Sequence, residues 1–231
     1  MSGEWDDPRV GASLRLYDYP ASPNCYKVRL ALAELGLDYE RVPVDIFGGD
    51  TLSPDFAAKS PGLTTPVLEI AEGEYLPESN AILLYLTEDT ELLPGDKEER
   101  ANVYRWLFFE QSRVVPFVGL LRFNLGTGRV EAGSEEAAKQ LKLAMGVTGV
   151  VEGHLQGRDW LVGDRFTVAD ICLYGYVHSA GDAGLDLSAF PAISGWVGRV
   201  RERPAHVADL AQFPENALIG NSRSVYDLLG V

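Results

Sequence analysis

With 231 residues, 46% of them hydrophobic and 23% charged, the chain has the length for one large domain or two small ones and reads as soluble and globular. A formal charge of −14 argues against general nucleic-acid binding, and no run of about eighteen apolar residues escapes a charge or a Gly/Pro break, so no membrane span is expected. Cys25 and Cys172 lack the clustered spacing of a metal site or a disulfide scaffold, and the acidic start from Met1 to Pro8 has no apolar segment, so reduced thiols, no metal and a cytoplasmic location are expected.

Alternating Leu14 and Leu16 with Tyr17 and Tyr19 predict a strand. Val28, Leu30, Ala31, Leu32 and Leu35 then recur at helical spacing until Gly36 supplies a stop. The chain therefore turns from a strand end straight into a helix start, where the first N–H groups lack backbone partners and the aligned dipoles favour negative charge. Ser22, Asn24 and Cys25 crowd that point, and each is able to meet an anion such as a thiolate. Two plainer readings stand beside this one: Ser22 caps the helix, and Cys25 is a small buried residue facing the core.

Residues 38–45 have strand composition, 46–50 form a loop, and 52–59 fit a short helix capped by Ser53 with Pro54 in its first turn. Ser60-Pro61-Gly62-Leu63-Thr64 is a turn, 65–70 a strand that begins at proline, and Glu72-Gly73-Glu74 the close of a hairpin onto Tyr75-Leu76. The helix opening at Ser79 is apolar over most of its surface and should be well buried. This order, β-α-β, a short helix, then β-β-α, predicts a right-handed parallel unit joined to an antiparallel hairpin.

Beyond an acidic, proline-containing linker at 89–96, strand signals largely vanish. One long helix is expected over 98–123, kinked by Pro116, followed by a glycine-rich break and a helix over 134–155. Thr167-Val168-Ala169-Asp170 matches a capping box with Asp in place of Glu or Gln, which makes Asp170 structural. A helix over 187–201, a last short helix starting at Pro204 and a tail from Pro214 that packs over something complete the chain. Domains are thus expected at 1–88 and 97–231, the second all-helical.

Three pieces of the first domain converge. Thr65-Pro66 sits where a loop becomes a strand, and a cis bond there would turn the Thr65 N–H and C=O outward toward an extended peptide. Glu78 and Ser79 open the buried helix, so Ser79 presents a hydroxyl and free N–H groups to a carboxylate while Glu78 accepts from an ammonium. Together they describe a site for a small peptide with a free amino-acid end, its reactive group pointing at Ser22.

Ser22-Pro23-Asn24-Cys25-Tyr26-Lys27-Val28-Arg29, Thr65-Pro66-Val67-Leu68, Pro77-Glu78-Ser79-Asn80-Ala81-Ile82 and Phe166-Thr167-Val168-Ala169-Asp170 form an ordered set over nearly the whole chain. It resembles the cytosolic glutathione S-transferases, of bacterial type with a serine-class-like first helix. The resemblance implies an α/β thioredoxin-like N-terminal domain plus an all-α C-terminal helical domain, glutathione as co-substrate with no prosthetic group, and a homodimer formed through the helix after Ser79 and the long helix from Glu98. It implies that Thr65 and Pro66 meet the cysteinyl part of glutathione, that Glu78 and Ser79 hold the γ-glutamyl end, and that Ser22 donates a hydrogen bond to the sulfur. A thiol near pKa 8.5 is mostly protonated at neutral pH, and lowering it by about two units takes roughly 2.7 kcal/mol, within reach of a hydroxyl donor and a helix start.

Asn24 is similar to the Asn of the Thr-Pro-Asn arrangement in bacterial disulfide-reducing relatives, where it assists the sulfur. Cys25 is counted among the glutathione-contacting residues, with a packed role as its alternative. Leu63 stands where many relatives carry a polar or basic residue for the glycyl carboxylate, leaving Lys59 or Lys27 to reach that group. A pocket for a small hydrophobic electrophile is expected between the domains, lined by Tyr19 and by Tyr104, Phe108, Arg113, Phe117 and Leu121 of the kinked helix, although the aromatic residues also read as ordinary core. Conjugation of glutathione to electrophiles is the implied activity. Glutathione-dependent disulfide reduction and a non-catalytic interaction scaffold are the alternatives.

Overall fold

Residues 14–229 are described by the computed structural model of the chain; the acidic stretch Met1 to Pro8 lies outside them. Strand β1 (Leu14–Asp18) runs parallel to β2 (Tyr39–Pro43) and antiparallel to β3 (Val67–Ala71), which pairs antiparallel with β4 (Glu74–Pro77) in the order β2-β1-β3-β4. Lying inside the sheet, β1 buries Leu14, Leu16, Tyr17 and even Asp18, whereas edge strand β2 leaves Glu40 and Arg41 exposed. Helix α1 (Pro23–Glu34) supplies the crossover between the parallel strands and ends before Gly36, whose φ of +63° only glycine adopts freely. Helix α2 (Pro54–Lys59) starts as its Ser-Pro pair predicts: the Ser53 hydroxyl accepts from the Phe56 N–H at 3.2 Å. Helix α3 (Ser79–Thr87) buries Ile82, Leu83 and Leu86 but leaves Leu84 and Tyr85 half-buried, so one side is less covered than its apolar sequence suggests.

The second domain is helical throughout. Its elements are α4 (Lys97–Phe109), α5 (Leu120–Gly126), α6 (Glu135–Leu155), α7 (Val168–Val177), α8 (Pro191–Arg201) and α9 (Val225–Leu229). The long helix is continuous from Lys97 to Gly126, but between α4 and α5 the segment Glu110–Gly119 is π-helical, and the Leu120 N–H bonds to the Val115 carbonyl five residues back. Pro116 falls inside this segment, where its missing N–H is absorbed by a wider turn rather than by the simple kink expected. The helix expected from Pro204 does not form. Backbone groups there are bonded to the first domain instead: the Val207 carbonyl accepts from the Tyr26 hydroxyl at 2.7 Å, and the Ala211 N–H donates to the Pro20 carbonyl at 3.1 Å.

Helix α1 of the first domain packs on α7 of the second, and Gly175 permits the approach: a Cβ there would lie 3.1 Å from both the Lys27 Cβ and the Pro23 carbonyl oxygen. Behind that contact Lys27 and Glu110 form a wholly buried ion pair at 2.8 Å, and the Asn80 amide donates to the other carboxylate oxygen of Glu110 at 3.1 Å. Asp170 closes its capping box and also accepts from the Leu161 N–H and the Trp196 indole, with burial raising its pKa to about 6. Among the described residues no helix is long and apolar enough to cross a membrane, and no group of three or more His, Cys, Asp or Glu is placed to hold a metal ion.

Candidate active site

The strand-to-helix turn at Ser22 opens onto a cavity of about 400 Å³ between the two domains. Ser22 has extended backbone at the start of α1, its N–H bonds to the Tyr19 carbonyl at 3.0 Å, and its Oγ accepts from the Cys25 N–H at 3.3 Å. Capping engages a lone pair of the hydroxyl and leaves its O–H outside the cap; Ser22 lines the cavity, and its hydroxyl also lies near the Cys25 sulfur. The cap reading of Ser22 is thus observed, and it leaves the donor reading open. Asn24, in the first turn of α1, also lines the cavity, and its Oδ1 accepts from the Ser79 hydroxyl at 3.2 Å. With that oxygen engaged, the Asn24 NH₂ is the polar group it offers onward.

Across the cavity stand Thr65 and Pro66, joined by a cis peptide, and Glu78 with Ser79 at the head of α3. The first ladder bond of that helix runs from the Ile82 N–H to the Glu78 carbonyl, so the N–H groups of Ser79, Asn80 and Ala81 precede it and lie outside the ladder. Glu78 itself has φ 73°, the left-handed region, which costs a non-glycine residue of order 1–3 kcal/mol. Its carboxylate is exposed at the cavity rim while Ser79 is buried. The expected glutathione-contacting set Thr65, Pro66, Glu78 and Ser79 is thus brought into one cavity with Ser22 and Asn24.

Cys25 is not. Its side chain is fully buried, its sulfur accepts from the Tyr19 N–H at 3.4 Å, and burial, with the Asp18 carboxylate close by, pushes the thiol up to about 12. On α1 it belongs to the face that packs against the end of β1, so it touches no ligand space. Lys27 is likewise withdrawn, fully buried against Glu110. Lys59 bonds the Asp55 carbonyl and sits over the rings of Tyr17 and Tyr75, and neither it nor Leu63 lines the cavity.

The second-domain wall is built from residues other than those expected. Tyr19 lines the cavity as predicted, with its ring edge-on to Phe47 and its buried hydroxyl without a hydrogen-bond partner. Tyr104, Phe108, Arg113, Phe117 and Leu121 do not: Phe108 is 73% exposed, Tyr104 and Leu121 pack into the core, and Arg113 and Phe117 line a separate groove against α6. Gln111, Val115, Pro116 and Gly119 of the π-helical segment take that place, about half a turn from Arg113 and Phe117. Gly119 is required there, because a Cβ would fall 2.6 Å from the Tyr176 ring. Arg122, Phe123, Tyr176, Phe213 and Tyr226 complete the wall, the last two brought in by the tail. A helical-period reading carries no signal for them, since the π segment breaks the period and the tail residues arrive through tertiary contact.

The glutathione S-transferase N-terminal domain model matches residues 16–94, and the C-terminal domain model matches residues 123–204. A crystal structure of a glutathione S-transferase from Pseudomonas fluorescens superposes with a TM-score of 0.82 at 41% identity, covering 87% of this chain and all of that one. The disulfide-bond oxidoreductase YfcG of Escherichia coli is 32% identical over 222 residues, 90% of this chain and 98% of its own. A glutathione transferase from Pseudomonas putida, crystallised with one glutathione disulfide bound per subunit, has a TM-score of 0.74 at 30% identity over 84% of this chain and 88% of its own. The chain belongs to the glutathione S-transferase family. Its fold is the α/β thioredoxin-like domain followed by an all-helical domain that characterises the family.

Proposed function

We propose that the protein binds glutathione across the first domain, holds its sulfur ionised beside Ser22, and transfers it to small hydrophobic electrophiles. The observation that carries this reading is the placement of the Ser22 hydroxyl, which caps α1 through its oxygen and lines the same cavity as Thr65, Pro66, Glu78 and Ser79. The γ-glutamyl carboxylate would take the N–H groups at the head of α3 and its ammonium the Glu78 carboxylate, leaving the cysteinyl backbone to Thr65. The thiolate then attacks the electrophilic carbon as the leaving group departs. The aromatic far end of the cavity, with Phe123, Phe213 and Tyr226, suits an apolar second substrate. Two buried, unpaired cysteines suit a reducing, cytoplasmic setting.

A specific contact favours disulfide reduction as a second reading. Asn24, oriented by Ser79, offers its amide to the sulfur, and a relative of similar length is a disulfide-bond oxidoreductase. Glutathione thiolate would attack one disulfide sulfur and release a thiol, and a second glutathione would discharge the mixed disulfide, yielding a second thiol and glutathione disulfide. Buried Cys25 takes no part in either reading. The deciding measurement is the ultraviolet thiolate band of bound glutathione together with turnover of an aryl halide and of a small disulfide. Ser22→Ala should lower conjugation about tenfold, a loss of about 1.4 kcal/mol. An unchanged rate removes Ser22 from the reaction, and a larger loss in Asn24→Ala with the disulfide selects the second reading.

A homodimer belongs to the same proposal. Phe108 on α4 is 73% exposed, and Leu84 and Tyr85 of α3 are only half-buried, which suits pairing of the helix after Ser79 and the long helix with a second copy of the chain.

A further inference from the structure

We propose that Arg122, on α5, is a positioning residue that sets the acidity of the thiol held at Ser22; this rests on the reading that glutathione binds there. Arg122 is only 3% exposed and lines the cavity. Its Nη1 donates at 3.0 Å to the Ala21 carbonyl, the acceptor half of the peptide unit whose other half is the Ser22 N–H. Its Nη2 donates at 3.4 Å to the Ala211 carbonyl, and the guanidinium carbon stands 4.9 Å from the centroid of the Phe213 ring. A permanent positive charge is therefore fixed one peptide unit from the serine, by contacts that leave it little freedom to turn away.

Among the described residues the charge has one carboxylate partner, Asp182, at 3.1 Å from Nε. The Asp182 side chain is 37% exposed, so water screens it more than it screens the guanidinium, and the field reaching the cavity keeps a positive sign. Other ionisable groups around the site do not cancel it. Burial raises the pKa values of Tyr19, Tyr176 and Tyr226, which stay neutral near pH 7, and burial holds His178 down to about 4, also neutral. Cys25 is an un-ionised thiol, Lys27 and Glu110 neutralise one another behind Tyr176, Asp18 is paired with Arg29 and Arg41, and Asp45 acts on Tyr19. Among the described cavity residues Arg122 is the cation, and Glu78, exposed at the rim, is the carboxylate. A unit charge acting over several ångströms at an effective dielectric near 20 moves a pKa by about one unit. The thiol proton leaves to water, and Arg122 stabilises the sulfur that remains without touching it.

The test is a pH titration of the ultraviolet thiolate band of glutathione bound to the full-length protein. Arg122→Gln should raise the midpoint by about one unit, and Arg122→Lys, which keeps the charge but loses the fork, should bring it most of the way back. Asp182→Asn should move it the opposite way, downward, because it removes the guanidinium's counter-charge. A clamp without an electrostatic role would weaken glutathione binding in both Arg122 variants and leave the midpoint in place, which overturns the proposal. An Asp182→Asn midpoint that stays put or rises overturns it too, and that variant decides the matter if Arg122→Gln does not fold. Wild-type protein that shows no thiolate band overturns the glutathione reading itself, whereas a normal wild-type band with immobile variants overturns only the role of Arg122.

Discussion

Ser22 and Cys25 are three positions apart on the same helix start, yet one opens to the cavity and the other is sealed in the core. What separates them is direction: the Ser22 side chain stands before the first turn, and Cys25 belongs to the face that meets β1. A thiol raised to about 12 by burial holds a negligible thiolate fraction at neutral pH. Native protein should therefore resist alkylation at Cys25 at pH 8, and Cys25→Ala should keep its turnover. Rapid carboxymethylation of Cys25 in the folded protein, read by peptide mass, would contradict this placement. The local signals here were legible in the sequence, because a cap, a proline at N1 and a Thr-Pro pair act over a few residues. The choice between a packed and a ligand-facing Cys25 was not, since it depends on where the end of β1 lies.

At the scale of elements, four helices meet around one buried polar cluster. Lys27 of α1 pairs with Glu110, Asn80 of α3 bridges to Glu110, and Cys172 of α7 donates to the Asn80 oxygen at 3.3 Å. Glu110 is also the first residue of the π-helical segment, so the cluster fixes the point from which the cavity wall departs from α-helical register. Glu110→Ala should cost about 3–5 kcal/mol in chemical denaturation by stranding the lysine, whereas Lys27→Met combined with Glu110→Leu should recover most of it. A double variant no more stable than the single one would show that the cluster is more than a paired charge. This segment also explains which part of the site the sequence hid. The pocket was expected at Arg113 and Phe117 of a kinked helix, but the wall is made by Gln111, Val115 and Gly119, and a ten-residue π stretch has no periodic signature of its own.

Over the whole molecule, the junction of the domains is where acid should act. His178 stacks on Tyr174 at 4.6 Å between ring centroids and is held down to about 4 from 6.5, first by burial and then by nearby arginines. Between those values the unfolded chain takes a proton that the native protein refuses. Stability from this group is complete above pH 6.5 and declines as the pH falls toward 4, by roughly 3 kcal/mol in all. His178→Phe should flatten that part of the stability curve relative to wild type, as measured by denaturant unfolding at pH 7 and 4.5. Asp170, raised to about 6, works in the reverse sense and is unchanged by the substitution. For assembly, Phe108→Glu should shift a dimer to monomer in light scattering; a wild-type monomer would leave the exposed Phe108 of α4 without that role. The order and class of elements were readable from local patterning, with β1, α1, β3 and α3 appearing where predicted. The path of the chain after Pro204 was not, because its backbone groups are satisfied by Pro20 and Tyr26, residues from the opposite end of the sequence.

Those ties have a temporal meaning. The Ala211 N–H is bonded to Pro20, the Arg223 N–H to the Phe47 carbonyl at 2.8 Å, and Phe213 and Tyr226 wall the cavity. During synthesis the serine hydroxyl and the Thr65 loop emerge before their apolar roof, Phe213 and Tyr226. A nascent chain therefore carries an uncovered groove, and the enclosed cavity exists only once the segment bearing Phe213 and Tyr226 has folded back over residues made earlier.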